Sequence, residues 1–131
     1  AHVSELLHTL SDFERIGDYA VNVAESATAL YNKGIVFSPE AAKEMDSLTC
    51  AVDEAIQKAL DCYRERSFDL AIQVEPLEEV VDLMKDELRA RHIERVKTGS
   101  CTIEQGTQFL ELLINLVQHR HRHFAADCSQ G

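Results

Sequence analysis

The chain has 131 residues, 45% of them apolar, which suffices for one domain with a real core. Five Gly, two Pro, five Phe, three Tyr and no Trp leave little turn or aromatic strand material for a β-rich fold, while helix formers dominate. A net charge of −10, from 23 acidic against 13 basic residues, repels phosphate backbones and anionic membranes. Nucleic-acid binding is therefore not expected, and the acidic surface suits either cations or plain solubility.

Apolar residues recur at alternating three- and four-residue steps, the spacing of helices buried along one stripe. In the first predicted helix, 3–33, the stripe is Val3, Leu6, Leu10, Phe13, Gly17, Ala20, Ala24, Ala27 and Tyr31, with Ser4 as a cap and Lys33-Gly34 as a stop. The second helix follows Ser38-Pro39-Glu40-Ala41, an N-cap serine with proline at the first helical position. Its stripe is Ala41, Met45, Leu48, Val52, Ala55, Ala59 and Cys62, and it ends near Arg66-Ser67. The third runs from about Phe68 to Lys97 with Leu70, Val74, Leu77, Val81, Met84 and Leu88 inward, and Pro76 should kink it or split off its first turns. Gly99 ends it. The fourth opens on a Thr102-Ile103-Glu104-Gln105 capping box and carries Phe109, Leu110, Leu113, Leu116, Val117 and Phe124.

No linker, low-complexity tract or composition break divides 1–131. The expectation is an all-α single domain, an antiparallel up-down bundle of four long helices in which short loops make consecutive helices neighbours. The first and third helices are roughly 45 Å long. Ala20, Ala24 and Ala27 let a partner helix approach closely. Neither a basic-plus-apolar leader nor an apolar run near 18 residues is present, so direct membrane insertion is not expected and a cytoplasmic location is. Cys50, Cys62, Cys101 and Cys128 are spread singly without a C-x-x-C, which fits reduced thiols in a cytosolic protein. The chain opens Ala1-His2-Val3 without Met and enters a helix at once, the look of a piece cut from a longer protein.

The chemistry-bearing segment is Asp12 to Glu25. Glu14 and Asp18 are four apart, so both project from one helical face, and Glu25 continues the row. Beside an apolar stripe, two carboxylates repel unless a cation or an arginine such as Arg15 sits between them. Glu78 and Asp82 repeat the spacing on the third helix. Two helices each offering a Glu-x-x-x-Asp pair can hold a hard cation through oxygen, although such pairs are also common on solvated faces.

The run Phe13-Glu14-Arg15-Ile16-Gly17-Asp18-Tyr19-Ala20-Val21-Asn22-Val23-Ala24-Glu25 closely resembles the signature helix of the PhoU family, which reads Glu-Arg-Ile-x-Asp-His-x-x-Asn-Ile-Ala. The lead-in Ser4-Glu5-Leu6-Leu7-His8 through Ser11-Asp12 resembles the PhoU-like region of bacterial sodium/phosphate cotransporters. Ala71–Gly99 and Gly106–Asn115 are also similar to the family. The resemblance implies two three-helix repeats, with 3–33 as the last helix of repeat one and 39–128 as the three helices of repeat two. It further implies a non-enzymatic domain that negatively regulates phosphate uptake through a transporter or its membrane domain. Metal ligation is carried over to Glu14, Asp18, Glu78 and Asp82, for iron, zinc, nickel or magnesium. In the last helix Val117 stands where the motif has Glu and His121 where it has Asp, so that motif is altered.

His119 and His123 share a helical face and can hold a transition metal, or simply complement the helix dipole with the neighbouring arginines. Glu5-x-x-His8 invites a di-iron reading, but no second Glu-x-x-His exists. There is no G-x-S-x-G, P-loop or dinucleotide turn. The competing expectation is a structural or oligomerising bundle without metal, in which an apolar face left open by missing helices is covered by another copy, giving a homo-oligomer.

Overall fold

The computed structural model describes residues 2–117, apart from the side chains of five residues within the helices. Four helices follow in order: α1 (His2–Lys33), α2 (Pro39–Glu65), α3 (Phe68–Lys97) and α4 (Ile103–Val117). No strand occurs among the described residues, and the all-α bundle expected from the pattern is what forms. None of these helices is long and apolar enough to cross a membrane.

The boundaries follow local chemistry. The Ser38 hydroxyl accepts from the Ala41 N–H at 3.2 Å, ahead of Pro39 at the first turn of α2. The Thr102 hydroxyl accepts from the Gln105 N–H at 3.0 Å while the Gln105 amide oxygen accepts from the Thr102 N–H at 2.9 Å, a reciprocal capping box. The chain leaves α1 and α3 through Gly34 and Gly99, at φ of 66° and 75°. Two local expectations change. Ser4 lies inside α1, which already starts at His2. Helix α3 is continuous through Pro76, so the missing proline N–H removes one ladder bond without splitting the helix.

The stripes of α2, α3 and α4 point inward as the spacing requires. Ala41, Met45, Leu48, Val52, Ala55, Ala59 and Cys62 are all buried, as are Val74, Val81, Leu88, Phe109, Leu113 and Leu116. Phe109 anchors this core, with Phe37 set edge-on at 5.4 Å. Phe124 lies outside the described residues.

Helix α1 differs. Its expected stripe faces solvent: Val3, Leu6, Leu10 and Tyr31 are 60–87% exposed, and Gly17, Ala20, Ala24 and Ala27 are exposed too. The face turned inward is Ile16, Tyr19, Val23, Ser26 and Leu30, about 100° round the helix with the same three-four spacing. The neighbours differ as well. α1 packs on α4, and α3 packs on both α2 and α4, whereas α1 and α2 do not meet backbone to backbone despite their short loop. An edge-to-face contact of Phe13 with Tyr63 at 5.9 Å bridges them. On the α4 side, the Asn115 amide donates to the Ser26 hydroxyl, and Gln105 donates to the Val36 carbonyl at 2.9 Å, so α1 and α4 run antiparallel.

Candidate functional site

The two carboxylate pairs sit in different surroundings. Glu14 and Asp18 are exposed on α1, one helical turn apart, and Glu25 continues the exposed row. Glu78 on α3 is 3% exposed and Asp82 half-buried. What α1 turns toward Glu78 is Tyr19. Its hydroxyl is pushed up to about 12, first by burial and then by the negative charge of Glu78. Tyr19 therefore stays a neutral phenol at any physiological pH.

The structure thus keeps apart the two pairs that share this spacing. Glu14 and Asp18 do not meet Glu78 and Asp82, and no three His, Cys, Asp or Glu side chains converge on one point among the described residues. Each pair supplies two oxygen-bearing groups, whereas a hard cation takes about six ligand atoms. His121, with the His119–His123 cluster, lies outside the described residues.

A second polar cluster occupies the opposite end of the bundle, where α2 begins and α3 ends. Arg95 Nη1 pairs with Glu44 Oε1 and lies 3.8 Å from Glu40 Oε1. The two principal side chains are 11% and 9% exposed. Arg95 Nη2 sits 2.9 Å from His92 Nδ1. A guanidinium has no acceptor, so Nδ1 must accept and the ring proton resides on Nε2. That Nε2 is 3.6 Å from Cys101 Sγ. The His92 ring is 1% exposed and stacks on Phe109 at 4.0 Å and 14°. Burial, then the Arg95 charge, hold its pKa below the ordinary imidazole value, against a backbone hydrogen bond with Gln105. Gly106 admits the ring and Val96, since a Cβ there would stand 2.6 Å from Val96 Cγ2 and 3.6 Å from His92 Nε2. Glu44 Oε2 and Arg95 Nε are buried without a hydrogen-bond partner.

This cluster was not singled out from the sequence. One available signal was Glu44 among the buried positions of α2, next to Met45. Another was Arg95 one turn beyond His92 on α3, near the inward edge. A buried carboxylate and a buried arginine are each costly alone, which makes their pairing the economical reading.

No family model matches the chain, and no solved structure matches it. The chain is similar to the phosphate-specific transport system accessory protein PhoU homolog 1 of Thermotoga maritima, at 29% identity over 109 residues. The match covers 83% of this chain and 46% of that protein, so the chain spans about half the length of this relative. This similarity supports the PhoU family.

Proposed function

We propose that the chain is a PhoU-like regulatory module without enzymatic activity, acting on a phosphate transport system or attached to its membrane component. The observation that carries this reading is the similarity over 109 residues to a phosphate-transport accessory protein. A bacterial sodium/phosphate cotransporter is the finer assignment, resting on the lead-in Ser4–Asp12. The test is phosphate uptake in cells lacking their own PhoU-type regulator. Expression of this chain lowers uptake if the reading is right, and uptake equal to that of a vector control overturns it.

Metal is a separate part of the proposal. Glu14 and Asp18 on α1, and Glu78 and Asp82 on α3, are the ligands offered, with His121 as a further donor. Such a metal, whether iron, zinc, nickel or magnesium, would act as an electrostatic clamp holding like-charged carboxylates in place. Elemental analysis of the purified protein decides it. The metal content of wild type should fall in Glu14→Ala/Asp18→Ala and in Glu78→Ala/Asp82→Ala, and a metal-free wild type removes this part alone.

A further inference from the structure

His92 stands at the joint where α3 ends and α4 begins, and both of its ring nitrogens are committed. The ring is 1% exposed and stacks on Phe109. Its Nδ1 accepts from Arg95 Nη2 at 2.9 Å. The hydrogen bond with the Gln105 backbone favours the charged ring, so the imidazole is the donor in it. By elimination Nε2 gives that proton, beside Cys101 Sγ at 3.6 Å. A neutral ring protonated on Nε2 therefore satisfies both sides. A doubly protonated ring does not, because its Nδ1–H meets a guanidinium that has donors only.

The turn after α3 hangs on the same residues. The Arg95 carbonyl accepts from the Ser100 N–H at 2.9 Å and the Cys101 N–H at 3.3 Å. Gly106 lies against the ring, where a Cβ would stand 3.6 Å from Nε2. The Gln105 side chain donates to the Val36 carbonyl at 2.9 Å, and Phe37 sits edge-on to Phe109. Ring, turn, first turn of α4 and the 34–38 loop thus form one connected corner. Arg95 of α3 is the charge in contact with the ring, and Glu44 and Glu40 of α2 reach it through Arg95. Cys101 is the titratable group of the turn, while Gln105, Gly106 and Phe109, which α4 sets against the ring, carry no charge. A second positive charge here meets Arg95 in a site closed to water. Farther along α4, Leu112, Leu113 and Leu116 are buried in a core shared with Leu48 and Val52, and that packing does not require a neutral ring.

We propose that His92 is an acid-triggered latch: protonation at Nδ1 displaces Arg95 and releases the α3–α4 turn together with the first turn of α4, while the rest of the bundle stays closed. The latch belongs to this end of the bundle and stands apart from the phosphate reading. An imidazole freed from the corner titrates near 6.5, so mild acid is the trigger. The open corner takes up a proton that the closed one refuses. Opening is therefore favoured as pH falls from about 6.5 to the lower pKa of the closed ring, and levels off below it.

The test is hydrogen exchange of the full chain, read by mass spectrometry and corrected for intrinsic exchange rates. From about pH 6.5 down to about pH 5, protection of the amides of residues 98–106 falls about tenfold per pH unit, while that around Ala59, Cys62 and Val74 at the far end of α2 and α3 stays level. His92→Gln keeps a donor and an acceptor but does not titrate, and it abolishes the response. Should that variant not fold, the imidazole 15N signals of wild type give the same reading, with Nδ1 protonating over the pH range in which the turn loses protection. Level protection of 98–106 throughout overturns the proposal. So does a loss shared equally by the far end, a response that survives in His92→Gln, or a ring that protonates while the turn remains protected.

Discussion

Replacing Arg95 by alanine should be among the most damaging single changes in the chain. Arg95 and Glu44 are 11% and 9% exposed, and the guanidinium serves Glu44 Oε1 and His92 Nδ1 at once. Without it, a buried carboxylate loses its counter-charge while its other oxygen, Oε2, already lacks a partner. Breaking such a pair from one side costs about 3–5 kcal/mol. Against a total stability of about 5–15 kcal/mol, that is about a fifth or more of what holds the domain together. Removing both partners has a different outcome. Glu44→Met with Arg95→Met also eliminates the two orphaned buried atoms, so the double variant should return to within about 1 kcal/mol of wild type or exceed it. Urea unfolding at pH 7 of wild type, both single variants and the double variant closes the cycle. A loss below about 1 kcal/mol for Arg95→Ala refutes the argument. So does a double methionine variant as unstable as Arg95→Ala, since the cost would then lie in lost packing rather than in an uncompensated charge.

Three further outcomes are expected. His92 is held below its unfolded pKa, so the unfolded chain binds more protons as pH drops below about 6.5, and stability falls there and rises again with pH; His92→Gln flattens this component in a pH series of unfolding midpoints. Tyr19 should ionise near 12, so Tyr19→Phe removes the highest step of an alkaline absorbance titration; because the folded pKa lies above the unfolded one, wild type should also lose this stability contribution as pH rises beyond about 10. Gly106→Ala drives a methyl group to 2.6 Å from Val96 Cγ2 and should cost about 1–3 kcal/mol, most of it regained on adding Val96→Ala. A fully stable Gly106→Ala variant would mean that α3 and α4 separate at no cost.

The helices were legible because their signals are local. Ser38 before Pro39, the Thr102/Gln105 box and the glycines at 34 and 99 act within a few residues, and each does in the structure what its chemistry requires. The α2 stripe was legible because only one face of that helix is apolar. The Glu44–Arg95–His92 cluster was hidden, since its members are separated by about fifty residues and each looks like an ordinary surface charge. Pairing across that distance depends on which helix ends meet, and periodicity carries no such information. The carboxylate pairs were legible as a pattern but not as an environment. The same spacing leaves Glu14 in water and buries Glu78, because the two helices present those rows to different neighbours.

The misreading of α1 has the same root and a further consequence. Periodicity reports that a face is apolar, not what it touches, and on α1 two faces about 100° apart both satisfy the three-four rule. The richer one, with Leu6, Leu10 and Phe13, looks like the core side on hydrophobicity alone. The chain instead buries the face with Tyr19, Ser26 and Leu30, because only there do a hydroxyl and a phenol find α4 and α3. Ser26 bonds Asn115, and Tyr19 sits in the field of Glu78. Directional polar contacts thus select among faces that hydrophobicity leaves equivalent, since a misplaced polar group costs more than a few exposed methyl groups.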